Sequence, residues 1–351
     1  MIEDSRPTGG TVSVETTRIV LASRPVGAPQ PENFRTETVA LPEPGDGQAL
    51  LETLYLSLDP YMRGRMSDAP SYAPPVAIGA TMVGATVSRV LESRDSAVRP
   101  GDIVLGYGGW QTHSLESAAY LRKLDPDKAP VTTALGVLGM PGFTAYSGLR
   151  NIGKPQAGET VVVAAATGPV GSAVGQIAKL EGARTVGIAG GPEKVRLLTE
   201  KFGFDAAIDH RADDFAEQLA AATPDGIDVY FENVGGAVLD AVLPRLNSFA
   251  RIPVCGLAAA YNATELPPGP DRLGLLMGLI LRKSLTVRGF IQTEFAPTQM
   301  DDFLHQATTW VADGRLAYLE DIVDGLDQVV PAFQGLLVGK NMGKLLVRVS
   351  R

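Results

Sequence analysis

The stretch that most restricts how this chain can fold is residues 159–180, ETVVVAAATGPVGSAVGQIAKL. Its first half is an apolar, β-branched run, as a strand buried on both faces requires. Its second half carries apolar residues at helical spacing from Val170 onward. Between them lies A-x-x-G-x-x-G, with glycines at Gly168 and Gly171. Gly168 permits a tight turn, and Gly171 lets helix and strand pack closely. Backbone N–H groups at the helix start, along Thr167, Gly168, Pro169, Val170 and Gly171, can then hold a pyrophosphate. As a bare string this is a variant that a plain glycine turn would also satisfy. Its place between strand and helix is what points to a dinucleotide.

The same grammar repeats downstream. Strand patterns at residues 184–189, 206–210, 227–234, 250–257 and 284–290 alternate with helix patterns at 192–202, 212–222 and 237–246. Repeats of this length predict an α/β fold, a Rossmann-type doubly wound parallel sheet with right-handed crossovers. Upstream, short strands at residues 18–23, 49–58, 83–93 and 98–107 are broken by frequent Pro and Gly, which predicts a compact β-rich domain. A loose tail is expected up to about Thr17. Thr298 is a candidate cap for a helix to Ala312, with Phe303, Ala307, Trp310 and Val311 on one face. Beyond Gly314 the chain returns to short strands, so its end is expected to rejoin the first domain. The expected division is residues 1–126 and 315–351 for the β-rich domain and 127–314 for the dinucleotide domain.

A length of 351 residues suits two domains of ordinary size. The net charge of -8 argues against a nucleic-acid partner, so an anionic cofactor needs a local basic pocket. The one cysteine, Cys255, excludes an intramolecular disulfide and fits a reducing, cytoplasmic compartment. Residues 1–10 are polar and lack the apolar core of a signal peptide. The most apolar segment, residues 273–281, stops at Arg282 and Lys283. It is far shorter than the roughly 20 residues a membrane span needs, so it reads as a buried or interface-facing helix and no membrane partner is expected.

The cofactor type follows from the second strand. A site for NAD usually places Asp or Glu about 20 residues after the first glycine, on the ribose 2′-hydroxyl. Here that strand ends in Ala189-Gly190-Gly191 with no carboxylate at its tip, and Lys194 follows. A small uncharged end leaves room for a 2′-phosphate, and Lys194 supplies a countercharge. Arg196 is a further candidate, and Glu193 weighs against the reading. The alternative for Lys194 is a solvated helix surface. The expectation is NADPH in preference to NADH.

Several strings then resemble a known family in order: LYLSLDPYMRGRM at residues 54–66, GMPGFTAYSGL at 139–149, the glycine turn itself, YFENVGG at 230–236 and GKNMGKLLV at 339–347. The chain resembles the zinc-independent medium-chain dehydrogenase/reductase family, in the NADPH-dependent 2-alkenal/alkenone reductase group of prostaglandin-reductase-like and curcumin-reductase-like enzymes. The resemblance covers nearly all of the chain after Arg18. It implies a β-rich, GroES-like substrate domain split around a Rossmann domain, and a homodimer in which the Rossmann sheets join. It implies NADPH-dependent reduction of the carbon–carbon double bond of a small-molecule enone or enal. Matching positions imply Gly191 and Lys194 beside the 2′-phosphate. They imply Asn233, the segment from Cys255 and Gly256 to Tyr261, then Phe290, Ile291, Gln292 and Asn341 along the nicotinamide half. Members often carry Tyr where this chain has His210, near the same phosphate. A protonated His210 would favour the phosphate and make affinity pH-dependent, whereas the alternative is a surface role only.

Conjugate reduction requires no metal. Zinc enzymes of related fold use Cys and His ligands, and here Cys255 is alone while His113, His210 and His305 have no ligand-like spacing. Hydride arriving at the β-carbon moves negative charge onto the carbonyl oxygen, which a hydrogen-bond donor must stabilise. A proton must then reach the α-carbon. Neutral phenols suit both tasks. Tyr261 is favoured as the polarising donor, because it follows a Rossmann strand and so stands at the mouth of the sheet; the alternative is an aromatic lining the pocket. Tyr55 is the second candidate, placed by the resemblance on the active-site wall. Tyr61 and Met62 read as packing and Arg63 as a loop anchor. Two other functions stay open: a quinone oxidoreductase on the same fold, and a noncatalytic NADPH-binding protein.

Overall fold

The computed structural model describes residues 14–265 and 271–350. The polar residues 1–10 lie outside them. The first strand begins earlier than Arg18: β1 (Glu15–Leu21) pairs antiparallel with β2 (Phe34–Ala40) along its whole length. Residues 15–17 show no apolar pattern. What holds them is a tertiary ladder, with the Thr16 hydroxyl donating to the His113 carbonyl at 2.8 Å.

Five more strands complete the first region: β3 (Gln48–Ser57), β4 (Thr86–Ser93), β5 (Ile103–Gly106), β6 (His113–Ser117) and β7 (Arg122–Lys123). Then come α1 (Met140–Gly148), β8 (Thr160–Val163), α2 (Pro169–Leu180), β9 (Arg184–Ala189), α3 (Pro192–Glu200), β10 (Ala206–Asp209) and α4 (Phe215–Ala222). The alternation continues through β11 (Ile227–Phe231), α5 (Gly236–Val242), β12 (Leu246–Val254), α6 (Leu273–Lys283), β13 (Thr286–Gly289) and α7 (Ala296–Ala312). The chain closes with β14 (Glu320–Asp324), α8 (Val329–Leu337) and β15 (Lys344–Arg348).

Strands β8 to β13 form one parallel sheet in the order β10-β9-β8-β11-β12-β13. Winding runs outward from β8 in one direction and then restarts at β11 in the other. The crevice at the carboxyl ends of β8 and β11 is therefore the switch point where such sheets bind ligands. β8 shows why the run reads as continuously apolar. Val161 and Val163 enter the core shared with Phe143 of α1, Val174 of α2 and Phe303 of α7, whereas Val162 and Ala164 enter the opposite core with Val242 of α5 and Leu279 of α6. Each large apolar side chain buried this way contributes about 1.5–3 kcal/mol.

The second large sheet runs β14-β15-β3-β4-β5-β7, with β6 also paired to β3. The two strands at its β14 edge come from the carboxyl-terminal end of the chain: β15 pairs antiparallel with β3 and parallel with β14. Beyond Gly314 the chain is not only strand, because α8 intervenes. Val329 and Phe333 of α8 are fully buried, and Phe333 meets Trp110 edge-on at 5.4 Å. Pro331 in its first turn and Gly335 near its end mask this helix in the sequence. α7 also differs from expectation at its start. It begins at Ala296, so Thr298 is not its cap; the Thr298 hydroxyl turns back to donate to the Phe295 carbonyl at 3.3 Å. The returning segment docks on α2 through a reciprocal pair, Gln176 Nε2 to Ala317 O at 2.9 Å and Ala317 N to Gln176 Oε1 at 2.7 Å.

The start of β15 is fastened to the end of β3 by a buried charge pair. Lys344 Nζ donates to Asp59 Oδ1 at 2.9 Å and to the Leu58 carbonyl at 2.7 Å, and the Ser57 hydroxyl donates to the other Asp59 oxygen. Removing one partner leaves the other charged in a dry place. Lys344→Met is expected to cost about 3–5 kcal/mol of stability. Urea denaturation of the variant checks this, and Lys344→Met combined with Asp59→Leu is expected to recover part of the loss.

Candidate active site and cofactor cleft

The turn from β8 to α2 is built by close backbone approach. Ala165 adopts φ +50°, a left-handed conformation that costs energy for a residue with a Cβ. A Cβ on Gly171 would stand 2.5 Å from the Ala165 carbonyl oxygen, so only glycine fits there. Gly168 sits at the N-cap of α2 with extended backbone, Pro169 opens the helix, and no side chain caps it. The first-turn amides are therefore free to meet an anion, and the helix dipole favours one. Thr167 is buried beneath the turn, and Val170 packs its side chain on the core. Asn233 Nδ2 donates to the Ala164 carbonyl at 2.8 Å, which ties the loop after β11 to the loop after β8 across the switch point. Glu232 orders the same loop: its Oε1 accepts from the amides of Val234 at 2.6 Å and Gly235 at 2.8 Å.

At one end of this turn is a cleft of about 510 Å³, lined by Gly190, Gly191, Lys194, Arg211, Gly339, Lys340 and Met342 among others. Gly191 takes φ +92° at the start of α3. Lys194, Arg211 and Lys340 line the cleft together with one carboxylate, Glu193, and no ion pair of the three cations is formed among the described residues. Lys194 Nζ donates instead to the Gly339 carbonyl at 2.7 Å. Burial, and then the Arg211 guanidinium, pull the Lys194 ammonium below its usual value. Asp209, two residues before Arg211, is already used: its Oδ1 accepts from the amides of Gly191 and Arg211, each at 2.9 Å. A Cβ on Gly190 would lie 2.8 Å from both Arg211 Nε and His210 Nε2, so the guanidinium and imidazole close over a strand tip that has no side chain. Unpaired cations around a bare strand tip fit a dianionic group on a ribose. Arg196 is not part of this wall; it faces Glu200 on the outside of α3 at 3.9 Å. Arg211 and Lys340 are the residues that sequence reasoning passed over. Arg211 stands directly after His210, and Lys340 lies in the GKNMGK string, but neither sits at a fixed distance from the glycines.

At the other end, β12 delivers Cys255 and Gly256 to the sheet mouth. Their amides donate to the Glu232 carbonyl at 2.9 and 3.2 Å, so the 255–261 loop is stitched to the loop after β11. The Tyr261 hydroxyl lies over Gly256, 2.9 Å from where a Cβ would be. Burial, reinforced by Cys255 and Tyr72, raises the Tyr261 phenol, which keeps it a neutral donor. Burial pushes the Cys255 thiol up to about 12, with the Glu232 carboxylate adding to the effect. Tyr61, Tyr72 and Tyr107 are raised as well, each mainly by burial, and Tyr61 feels both of the others. Tyr72 and Tyr107 are further residues that sequence reasoning missed, because both lie in loops without a motif. Tyr55 is not brought to this group. Its ring lies 6.0 Å from the Arg348 guanidinium, which pairs with Asp324 at 2.9 Å on the exposed side of the sheet. Arg63 is an anchor, donating to the Gly27 carbonyl at 2.8 Å and to Asn262 Oδ1 at 3.2 Å.

Beyond β13, the Phe290 ring belongs to the core, edge-on to Phe231 at 6.2 Å. The Ile291 amide is taken by Glu294 at 2.9 Å. Gln292 Oε1 is buried with no hydrogen-bond partner, an acceptor left over just beyond β13. Asn341 donates to the Gly343 carbonyl at 2.8 Å, and its neighbours Lys340 and Met342 face the cation cleft. Among the described residues no group of three or more His, Cys, Asp or Glu side chains is placed to hold a metal ion.

A doubly wound sheet with a capless helix at its switch point and a cation cleft beside it defines a dinucleotide-dependent oxidoreductase. Residues 17–124 match the family described as N-terminal domain of oxidoreductase, and residues 169–309 the one described as zinc-binding dehydrogenase. The chain is 60% identical to the NADPH-dependent curcumin reductase of Escherichia coli, over 95% of this chain and 96% of that one. It is 42% identical to prostaglandin reductase 1 of Rattus norvegicus, over 92% and 95%. The crystal structure of CurA from Vibrio vulnificus in complex with NADPH superposes with a TM-score of 0.93 at 52% identity, covering 95% of this chain and 99% of that one. The chain belongs to the medium-chain dehydrogenase/reductase family, in its alkenal and curcumin reductase group.

His210 gives the cation cleft a measurable signature. Burial, then the Arg211 charge, hold its imidazole below the ordinary 6.5, so the ring is neutral at pH 7 in the free protein. The folded ring binds its proton less readily than the unfolded one, so stability present above pH 6.5 is lost as the pH falls below it. His210→Gln is expected to flatten that part of the stability profile. NMR titration of the ring checks the direction, and a midpoint above 6.5 contradicts it.

Proposed function

We propose that this protein is an NADPH-dependent reductase of the carbon–carbon double bond in α,β-unsaturated ketones and aldehydes. The observation that carries the reading is the polarity of one crevice: unpaired cations at one end of the glycine turn and neutral phenols at the other. The relatives named for NADPH-dependent curcumin reduction and for prostaglandin reduction support it.

NADPH, when bound, supplies the hydride. The chain's own residues do the rest. Free amides at the start of α2 hold the pyrophosphate, Lys194 and Arg211 meet the 2′-phosphate, and Gln292 Oε1 offers an acceptor to the carboxamide. Tyr261 donates a hydrogen bond to the substrate carbonyl, so charge moving onto that oxygen is stabilised as the β-carbon is reduced. A proton then reaches the α-carbon, from Tyr261 or through it from solvent. The chemistry runs without a metal; the sole cysteine and the scattered histidines support this. Domain boundaries near residues 126 and 314 and a cytoplasmic site of action complete the reading. Among the described residues no helix is long and apolar enough to cross a membrane.

The protein acts as a homodimer joined through its parallel sheets. Two features support this: β13 is an edge strand whose four residues are all exposed, and α6 beside it exposes Leu273, Leu275, Met277 and Leu281. An unpaired edge flanked by an apolar patch is a template for a second copy. Light scattering is expected to return twice the mass of one chain, and a monomer would contradict it.

The activity test follows NADPH oxidation with an enone, an enal and a benzoquinone. Turnover of the first two, unchanged by a chelator, is expected. Activity with the quinone alone would overturn the reading. Tyr261→Phe is expected to lower kcat by roughly 10²-fold, the scale of one lost transition-state donor; an unchanged kcat removes that hydroxyl from the chemistry.

A further inference from the structure

The cation cleft has two walls, and they belong to different sheets. Lys194 opens α3 and Arg211 follows β10, both on the parallel sheet. Lys340 stands between α8 and β15, on the sheet that carries the substrate-side loops. The opposite wall is well anchored. The Lys340 amide donates to the Gly335 carbonyl at 3.0 Å, and its stem would lie 3.7 Å from a Cβ on Gly335. The Met342 amide donates to Asp321 at 3.1 Å. Among the described residues the one direct hydrogen bond across the cleft is Lys194 Nζ to the Gly339 carbonyl at 2.7 Å, and no other partner takes the remaining Lys194 donors.

We propose that the 2′-phosphate does more than select the cofactor: it is gripped from both walls, by Lys194 and Arg211 on one side and Lys340 on the other, and so draws the two domains together. This rests on the cofactor reading above and adds a role for a residue outside the dinucleotide domain. The physical argument is charge balance. Three cations against the one carboxylate of Glu193 leave the cleft net positive, and a dianion between them replaces repulsion with charge-assisted hydrogen bonds on both sides. A cofactor lacking that phosphate occupies the turn and leaves the Lys340 wall untouched. It has no differential contact with the closed arrangement and shifts nothing.

Two readouts that do not depend on turnover test this on the full chain. Calorimetry measures binding of adenosine 2′,5′-bisphosphate and of adenosine 5′-monophosphate. Hydrogen exchange follows the amides of residues 336–342. Lys340→Ala is expected to weaken the bisphosphate about tenfold while leaving the monophosphate within about twofold, the size of one charge-assisted contact. The bisphosphate, and not the monophosphate, is expected to slow exchange at residues 336–342 in the parent, and that protection is expected to vanish in the variant. If the variant binds both probes as the parent does, or if protection stays confined to residues 190–194 and 211, the grip is one-sided and the proposal falls. If the parent itself shows no preference for the bisphosphate, the cofactor reading falls with it. A preference that survives Lys340→Ala unchanged removes only the bridge.

Discussion

The structure depends on one close approach between backbones. Gly171 must come so near the Ala165 carbonyl that a single methyl would collide with it, and Ala165 takes up a left-handed conformation to let this happen. The result is that α2 starts almost on top of β8, with its free amides aimed into the switch point. The strands on either side are held to serve this position. β8 is clamped by apolar cores on both faces, and Asn233 laces the neighbouring loop to it. Rigid burial of the strand is what allows strain to persist in the turn.

From that point the crevice separates into two chemical environments. An acidic chain with net charge -8 concentrates Lys194, Arg211 and Lys340 in one cleft against a single lining carboxylate, Glu193. At the other end, desolvation raises the half-buried Tyr61 and Tyr261, with Tyr72 and Tyr107 more exposed beside them, and all four phenols are neutral donors. A highly charged ligand segment and a weakly polar, electron-accepting one are thereby sorted without any residue needing to recognise both.

Much of this was legible in the sequence where physics acts locally. The period of β8, the glycine spacing and the missing carboxylate after β9 each depend on residues close together in the chain, and they led to the switch point and to Lys194. What escaped depends on distant partners. β1 starts at Glu15 because β2 pairs with it, and α8 forms because Trp110 and its neighbours need covering. Arg211 and Lys340 acquire their meaning only when the two sheets face each other. Tyr55 is the second candidate after Tyr261 in the sequence, and its ring lies against Arg348 of the neighbouring strand.

Cys255 carries a consequence for durability. Conjugated carbonyl compounds alkylate thiolates, and a thiol beside their binding place would be consumed by the molecules it helps enclose. With its pKa near 12, the side chain is almost wholly uncharged at neutral pH, and the uncharged form is a poor nucleophile. The same desolvation that raises the phenols thus keeps the nucleophilic thiolate scarce at Cys255, the one sulfhydryl an electrophilic olefin could alkylate.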